Sequence, residues 1–221
     1  MAVIHRTTLT PTKLELLTTW LPSRAWYRGD GAPELARVGG FRLDDPQGEV
    51  GIEFLVATDT SGGHPVHYQV PLTYRGAPLD GAEHALIGTM EHGVLGPRWA
   101  YDGAHDPVLV AELLALMEGR VEAQAQSASD TVDRQVTRSY TGTVPLGDGM
   151  ATSAADDREG TELRAPRGVT LRLQRVLQPA PDGRDHLPEG ATGQVTGHWA
   201  LPDDTRVRGL FAALHTATAA S

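Results

Sequence analysis

The segment Arg98–Gly119, RWAYDGAHDPVLVAELLALMEG, carries signals for a strand, a turn and a helix in immediate succession. Val94–Tyr101 has the composition of a short strand, and the Asp102-Gly103 pair that follows it favours a turn. Asp106 can cap a helix through its carboxylate, and Pro107 suits the first helical position because its missing N–H is not needed there. The segment therefore predicts a helix that begins at Pro107.

The predicted helix extends for about three turns and ends at a glycine. Leucine, valine and methionine recur at three- and four-residue spacings from Leu109 to Met117, which is typical of a helix with one apolar stripe. Glu112 and Glu118 lie off this stripe, and Gly119 stands where a left-handed residue closes a helix. We expect the stripe to face the core.

Three segments before this helix predict consecutive antiparallel strands, because hairpin-type turns separate them. They are Leu35–Leu43, Val50–Thr58 and Val66–Tyr74. The third alternates between apolar and polar residues, so we expect one of its faces to be buried and the other to be solvated. Pro71 cannot donate to a neighbouring strand and therefore belongs at an edge, at a bulge or at a position that points away from its neighbour.

Helical spacing of apolar residues predicts three further short helices. The first ends at Pro22 and begins either at the Thr10-Pro11 pair or, one register later, at a capping box formed by Thr12 and Glu15. The other two are Ala82–His92 and Arg208–Leu214.

The second half differs from the first, since β-like segments there alternate with long loops rich in glycine, proline, aspartate and alanine. The polar stretch 121–130 is the best candidate for a boundary. We therefore divide the chain into a region 1–125 and a β-rich region 126–221, and we expect the two to pack as one unit. Further strands are predicted at residues 2–8, 131–144, 169–177 and 194–201, and loops at residues 147–160 and 179–193.

These elements predict an α+β fold, with a mostly antiparallel sheet and a few helices packed on one of its faces. The longest apolar stretch is the helix of residues 108–117, which Glu112 interrupts and which is too short to span a bilayer. The N-terminal residues lack the apolar run of a signal peptide. We therefore expect a cytoplasmic protein with no membrane contact.

The charge balance argues against nucleic acid as a partner. The chain has 19 Lys and Arg against 28 Asp and Glu, a net charge of −9, whereas binding of a phosphate backbone needs clustered cations. It contains no cysteine, so any metal site would rely on histidines and carboxylates. Neither His64 with His67 nor His84 with His92 has a spacing that suits one ion. We expect no metal and no cofactor.

Three ordered motifs resemble the N-terminal cap domain of the actinobacterial maltokinases and their relatives. They are Trp20-Leu21-Pro22 with Trp26-Tyr27 and Gly29, the strand segment Tyr68–Leu72, and Tyr101–Pro107 followed by the aliphatic helix. The resemblance extends over residues 10–120 and implies a cystatin-like curved sheet wrapped on a helix in the first half. It departs from the family at Ala25 and Asp30, where basic residues are expected.

Maltokinases phosphorylate a disaccharide with ATP, and these 221 residues lack the sequence signals of that reaction. Phosphoryl transfer needs a lysine on the phosphates, an aspartate base on a catalytic loop and carboxylates on magnesium. The only lysine is Lys13 in the first helix, and His92-Gly93 is followed by Val94 rather than by an aspartate. The resemblance therefore implies a cap without a kinase body, and enzyme activity is the less expected outcome.

The densest group of titratable residues is Asp102, His105 and Asp106. A histidine flanked by carboxylates can act as a general base. However, Asp102 is also a residue type that commonly stabilises a turn, and Asp106 also suits a helix cap. We retain the three as weak catalytic candidates.

Flat aromatic rings suit both the faces of sugars and the surfaces of protein partners. Most of them must belong to the core, because aromatic residues make up only 5% of the chain. The aromatic candidates for a binding interface are Trp20, Trp26, Tyr27, Trp99 and Tyr101.

The arginines of residues 164–175 follow the acids of residues 156–159, so we expect a mutually paired surface there rather than an anion site.

Two functional hypotheses remain open. The first is a free-standing, non-catalytic cap-like protein, a binding or regulatory module linked to trehalose, maltose or α-glucan metabolism. Its partner would be a protein of that metabolism, a carbohydrate, or a second copy docked along an edge strand. The second is a small-molecule enzyme or ligand-binding protein, related to carbohydrates, with a pocket between sheet and helix. A deep pocket with converging Asp and His side chains would favour the second hypothesis.

Overall fold

The computed structural model describes residues 9–126, 131–142, 146, 153–165, 168–181 and 183–216. The strand predicted at residues 2–8, Val144 and Arg167 lie outside the described residues. Two α-helices are present in the described ranges, α1 (Lys13–Trp20) and α2 (Pro107–Glu118), together with 3₁₀ helices at Leu21–Ser23, Glu83–Ala85 and Gly103–His105. The strands are β1 (Leu9–Thr10), β2 (Leu35–Asp44), β3 (Gly51–Asp59), β4 (Val66–Arg75), β5 (Leu86–His92), β6 (Gly96–Asp102), β7 (Gln124–Ala125), β8 (Thr137–Tyr140), β9 (Ser153–Asp156), β10 (Gly160–Ala165), β11 (Val169–Gln174), β12 (Val176–Leu177), β13 (Gly193–Ala200) and β14 (Arg206–Thr216).

The described strands form one sheet in which every pairing is antiparallel. Along its main path the order is β1-β5-β6-β4-β3-β2-β13-β14-β11-β10-β9, while β12, β7 and β8 pair at the side with β4, β2 and β13. The two halves of the chain meet in this sheet, where Trp199 of β13 pairs with Gly39 of β2. The protein is thus an α+β protein with a mostly antiparallel sheet. Neither α-helix of the described chain has the length and apolar character needed to cross a bilayer.

Helix α2 has the bounds that the sequence predicted. The Asp106 carboxylate caps its first turn, Pro107 is the first helical residue, and Gly119 closes it with φ 79°. The prediction of a single apolar stripe was too narrow, because Glu112 is buried along with most of the helix. The physical reason is that α2 lies against β2, β8 and β13, so strands from both halves enclose it.

Helix α1 uses the later of the two predicted starts. Thr12 is the N-cap, its hydroxyl accepts from the Glu15 amide, and the Glu15 carboxylate accepts from the Thr12 amide at 2.7 Å. The α-helix ends at Trp20, and the 3₁₀ turn that contains Pro22 continues the chain. The predicted end at Pro22 is therefore correct for the helical segment as a whole but two residues late for the α-helix itself.

Two of the predicted helices are strands. Most of Ala82–His92 forms β5, which pairs with both β1 and β6, and Arg208–Leu214 lies within β14, between β13 and β11. In each segment the spacing of large apolar residues suited a helix, but hydrogen bonds to two neighbouring strands satisfy the backbone more completely. The first predicted loop is also interrupted, since residues 153–156 form β9.

Strand β4 is buried on both faces, which corrects the prediction of a solvated face. Tyr68, Val70 and Leu72 pack under α1 in one cluster, and Gln69 on the opposite face is fully buried. The second half covers that face, because the Gln69 amide donates to the backbone oxygens of Gln174 at 2.9 Å and Phe211 at 3.1 Å.

Pro71 lies in a gap between two partners of β4. Strand β12 pairs with its residues His67 and Tyr68, and β6 pairs with it from Leu72 onward. The missing N–H of Pro71 therefore falls where neither strand needs a donor, which is the third of the positions that the sequence allowed.

The two α-helices pack on opposite faces of the sheet, whereas we had expected them on one face. On β3 the side chains alternate, so that Leu55 and Ala57 join the cluster under α1, and Phe54 and Val56 join the cluster under α2. Each helix has its own apolar cluster because successive residues of a strand face opposite sides. The sheet is consequently the middle layer in this part of the protein.

The larger of these two clusters contains residues from both halves of the chain. Phe41 of β2 stacks on Phe54 at 4.5 Å between ring centroids and lies 5.9 Å from Phe211 of β14. Trp199 is fully buried, and its ring lies 5.8 Å from that of His67. The apolar surface of the first half is therefore covered by side chains of the second.

Candidate functional site

Asp102, at the end of β6, forms a buried ion pair with Arg175. The Nη2 atom of Arg175 donates to both carboxylate oxygens, at 2.6 and 2.7 Å, and its Nε donates to the Thr161 hydroxyl at 2.7 Å. The Arg175 side chain is 0% exposed, so this arginine does not belong to the paired surface that we expected for residues 164–175. The pair ties the first half of the chain to the second.

The expected surface pairing holds for the other described arginines of that series. Arg172 forms an ion pair with Asp157, and Arg164 forms one with Glu162. The guanidinium of Arg172 holds the pKa of the Asp157 carboxyl below its usual range, and the hydrogen bonds from two backbone amides act in the same direction. These contacts are consistent with a paired surface.

Asp106 has a second role besides capping α2. Its carboxylate accepts from the Val108 amide at 3.0 Å, and it also accepts two hydrogen bonds of 2.7 Å from the guanidinium of Arg75. The side chain of Asp106 is fully buried, while that of Arg75 is 19% exposed. The carboxylate raises the pKa of Arg75 above its ordinary value, chiefly through these hydrogen bonds.

We expect Asp106→Ala to lower the free energy of unfolding by about 3 kcal/mol, because it removes a helix cap and the partner of a half-buried guanidinium. Asp106→Ser retains a capping hydroxyl and should lose about 1 kcal/mol less. Thr12→Ala, which removes a cap that has no ion pair, is the matched control with an expected loss of about 1 kcal/mol. Urea denaturation of the three variants measures these values. A stability of Asp106→Ser equal to that of the unsubstituted protein would show that the Arg75 pair contributes nothing.

His105 makes its close contact with another histidine. Its Nδ1 lies 3.1 Å from Nε2 of His84, and the two rings are perpendicular. Burial lowers the pKa of His105, and the opposing effect of the Asp102 charge is smaller. The three weak catalytic candidates thus have three different partners, Arg175 for Asp102, Arg75 for Asp106 and His84 for His105, and each partner accounts for the position of its residue.

The five aromatic candidates separate into two clusters. Trp20 and Trp26 are buried, with ring centroids 5.7 Å apart, and Tyr27 is half-buried beside Tyr68 at 5.8 Å. Burial raises the pKa of Tyr68 to about 12. A smaller cluster holds the other two candidates: Tyr101, which is buried and accepts from the Leu79 amide, and Trp99, which is half-buried. Tyr27 and Trp99 are thus the two candidates with exposed surface.

Two further residues considered in the sequence, Lys13 and His67, have structural partners. Lys13 forms an ion pair with Glu53 and lies over the Tyr74 ring at 5.0 Å. His67 is hydrogen-bonded to the Thr58 hydroxyl at 2.8 Å, and burial lowers its pKa. Among the described residues, no group of three or more His, Asp or Glu side chains is placed to hold a metal ion.

Two adjoining clefts lie in a region for which the sequence analysis named no site residue, the first over β13 and β14 and the second between β2 and β13. The first has a volume of about 570 Å³ and the second about 590 Å³, which is within the usual range for small-molecule sites. Both are lined by Gln135, His198 and Arg206, so these side chains stand between them. Strands and loops line both clefts, and no residue of α1 or α2 does.

The first cleft is rich in guanidinium groups. Arg134, Arg206 and Arg208 line it, and Arg208 donates to the Asp185 carboxylate at 2.9 Å. Arg206 donates to the Gln135 side chain at 2.9 Å. A strand assignment of residues 206–216 would have revealed this grouping, because Arg206 and Arg208 share a strand face but not a helix face.

The protein is thus an α+β protein whose sheet carries one α-helix on each face, and part of its chain matches a known family. Residues 20–106 match the maltokinase N-terminal cap domain. The match runs from the last residue of α1 through β6 to the N-cap of α2, inside the range where the sequence motifs resembled that family. This part of the chain is therefore a cap-like domain of the maltokinase type, and it makes up less than half of the protein.

Proposed function

We propose that the protein is a non-catalytic, cap-like binding or regulatory module of trehalose, maltose or α-glucan metabolism, located in the cytoplasm. The observation that carries this proposal is the match of residues 20–106 to the maltokinase cap domain. We extend it to the shape of the first half, where a meander of β2, β3 and β4 with α1 on one face suits a cystatin-like curved sheet.

The contacts of the charged residues support the non-catalytic part of the proposal. A kinase requires a lysine that reaches nucleotide phosphates and carboxylates that hold magnesium. The single lysine, Lys13, forms an ion pair with Glu53, while Asp102 and Asp106 each form an ion pair with an arginine. Using any of them for phosphoryl transfer would first break an ion pair.

We expect ATP with magnesium to raise the melting temperature no more than ATP with a chelator does. A ligand that binds the native state stabilises it by mass action, and a kinase site needs the metal to bind its nucleotide productively. Thermal denaturation at millimolar nucleotide, with and without magnesium, measures the difference. A magnesium-dependent shift of several degrees that saturates with ATP would overturn the non-catalytic proposal.

The binding part of the proposal is tested with two kinds of partner. Maltose, trehalose and a maltooligosaccharide are titrated by calorimetry, and the protein is mixed with a maltokinase from which the cap has been removed and analysed by size-exclusion chromatography. Binding in either arm supports a module of this metabolism. No heat in the first arm and no complex in the second would remove the proposed link.

The second hypothesis, a ligand-binding protein or enzyme, is favoured by the two clefts. We had placed such a pocket between sheet and helix. The first cleft instead lies over strands of the second half, and the second lies between β2 of the first half and residues of the second half. Homodimerisation also remains a proposal, with β1 and β9 at the ends of the described sheet as the edges that a second copy would use.

A further inference from the structure

The first cleft, defined above over β13 and β14, gathers positive charge on one strand face. Arg206 and Arg208 are two residues apart on β14, and His198 of β13 is the direct cross-strand partner of Arg208. Residues that are two apart on a strand, and residues directly opposite in an antiparallel pair, share a face. Arg134 approaches the same cleft from the segment before β8. In a chain of net charge −9, three arginines at one cleft are a local exception.

Contacts within the cleft neutralise only part of this charge. The Asp185 carboxylate accepts a hydrogen bond from Arg208. Arg206, in contrast, donates to the Gln135 side chain and to the ring of His198, neither of which is a carboxylate. Asp133 and Asp204 line the second cleft, which shares Arg206 and His198 with the first, and the Asp133 charge opposes the lowering of the pKa of His198 by burial. The first cleft is therefore suited to an anion, because at least one guanidinium has no carboxylate as its hydrogen-bonding partner.

The contact between Arg206 and His198 sets the tautomer of the histidine. A guanidinium can only donate, so Nε2 of His198, which lies 3.2 Å from Nη2 of Arg206, is the acceptor. The neutral ring must then carry its proton on Nδ1, a buried atom for which the described residues provide no acceptor. The Nε of Arg208 is likewise buried without a described partner. A buried donor without a partner carries a desolvation cost, which an acceptor supplied by a ligand or by water would offset.

We propose that the first cleft binds the phosphate group of a small phosphorylated sugar. A phosphate has several acceptor oxygens and a double negative charge, which the forked guanidinium groups of Arg206 and Arg208 match with paired, charge-assisted hydrogen bonds. The adjoining second cleft offers Asp133, Gln135 and Asp204, whose oxygens suit hydroxyl groups. The inference rests on the clefts alone and is independent of the proposed function.

The geometry assigns Asp185 the role of a competitor for the ligand. The Asp185 carboxylate accepts from Nη2 of Arg208, which is a donor that a phosphate oxygen would use. The same Nη2 also donates to the hydroxyls of Thr137 and Thr196, each at 3.2 Å. Removal of the Asp185 charge should therefore strengthen phosphate binding, whereas removal of a cleft arginine should weaken it. Opposite effects of two substitutions in one cleft are not expected from loss of folding.

Calorimetry with glucose 6-phosphate, inorganic phosphate and glucose tests the proposal. We expect glucose 6-phosphate to bind at least about tenfold more tightly than glucose, because a charge-assisted pair contributes more than a neutral hydrogen bond. Arg206→Gln and Arg134→Gln, both at exposed residues, should each weaken glucose 6-phosphate binding about tenfold, and Asp185→Asn should tighten it. Arg164→Gln removes an exposed arginine outside the cleft and should change the affinity less than about twofold.

The resonances of the His198 ring report where the ligand binds. A bound phosphate should raise the pKa of His198, because a nearby negative charge favours the protonated ring. Inorganic phosphate that binds as tightly as glucose 6-phosphate would restrict the site to the phosphate alone and overturn the sugar part. Absence of saturable binding, or equal weakening by Arg206→Gln and Arg164→Gln, would overturn the proposal as a whole.

Discussion

Arg175→Met is expected to lower the free energy of unfolding by about 3–5 kcal/mol, the largest effect that we predict for a single substitution. The variant leaves the Asp102 carboxylate buried at 2% exposure without the guanidinium that donates hydrogen bonds to it and balances its charge. Asp102→Leu should be similarly harmful for the converse reason. Urea denaturation followed by circular dichroism measures both.

The double variant Asp102→Leu with Arg175→Met distinguishes a buried charge from lost packing. When both partners become apolar no charge remains unpaired, so the double variant should be more stable than either single one. Arg164→Met is the matched control, because its side chain is 75% exposed and its pair with Glu162 is worth at most about 1 kcal/mol. If Arg175→Met is no worse than Arg164→Met, the buried pair does not hold the two halves together.

Expression of residues 1–125 alone is expected to give a protein that aggregates, dimerises or binds a hydrophobic dye. The fragment retains β7, which pairs with β2, but it exposes the face of Phe41 and Phe54 that Phe211 and Trp199 cover in the whole chain. An exposed apolar face of this kind drives association. Addition of residues 126–221 in trans should restore a monodisperse complex in size-exclusion chromatography. A soluble, well-dispersed fragment 1–125 would show that the two regions fold independently.

Local signals in the sequence were sufficient for the elements that depend on a few neighbouring residues. The bounds of α2 follow from a cap, a proline and a glycine, and the capping box of α1 follows from Thr12 and Glu15. The meander of β2, β3 and β4 follows from hairpin turns between apolar runs. The motifs for the cap-like domain lie in or next to these elements, and residues 20–106 match that family.

The sequence could not predict which strands accept distant partners. Strands β5 and β14 have apolar residues at helical spacing, and only the neighbouring strands make the extended backbone favourable there. Because Arg208–Leu214 was assigned to a helix and Arg206 to no element, the two arginines were not placed on one face, and the cleft beside His198 was missed. The polar face of β4 was assigned to solvent for a similar reason, since its cover comes from residues more than a hundred positions away.

By itself, the sequence determined the α+β class, the cap-like segment, the start and end of α2, and the order of the first strands, because capping, turn formation and alternation act over a few residues. Only the tertiary structure decided the roles of Asp102, Asp106 and Arg175, the opposite placement of α1 and α2, and the arginine cleft. Each of these depends on residues far apart in the chain, and a buried charge or an apolar face has no preferred partner until the fold brings one within contact distance.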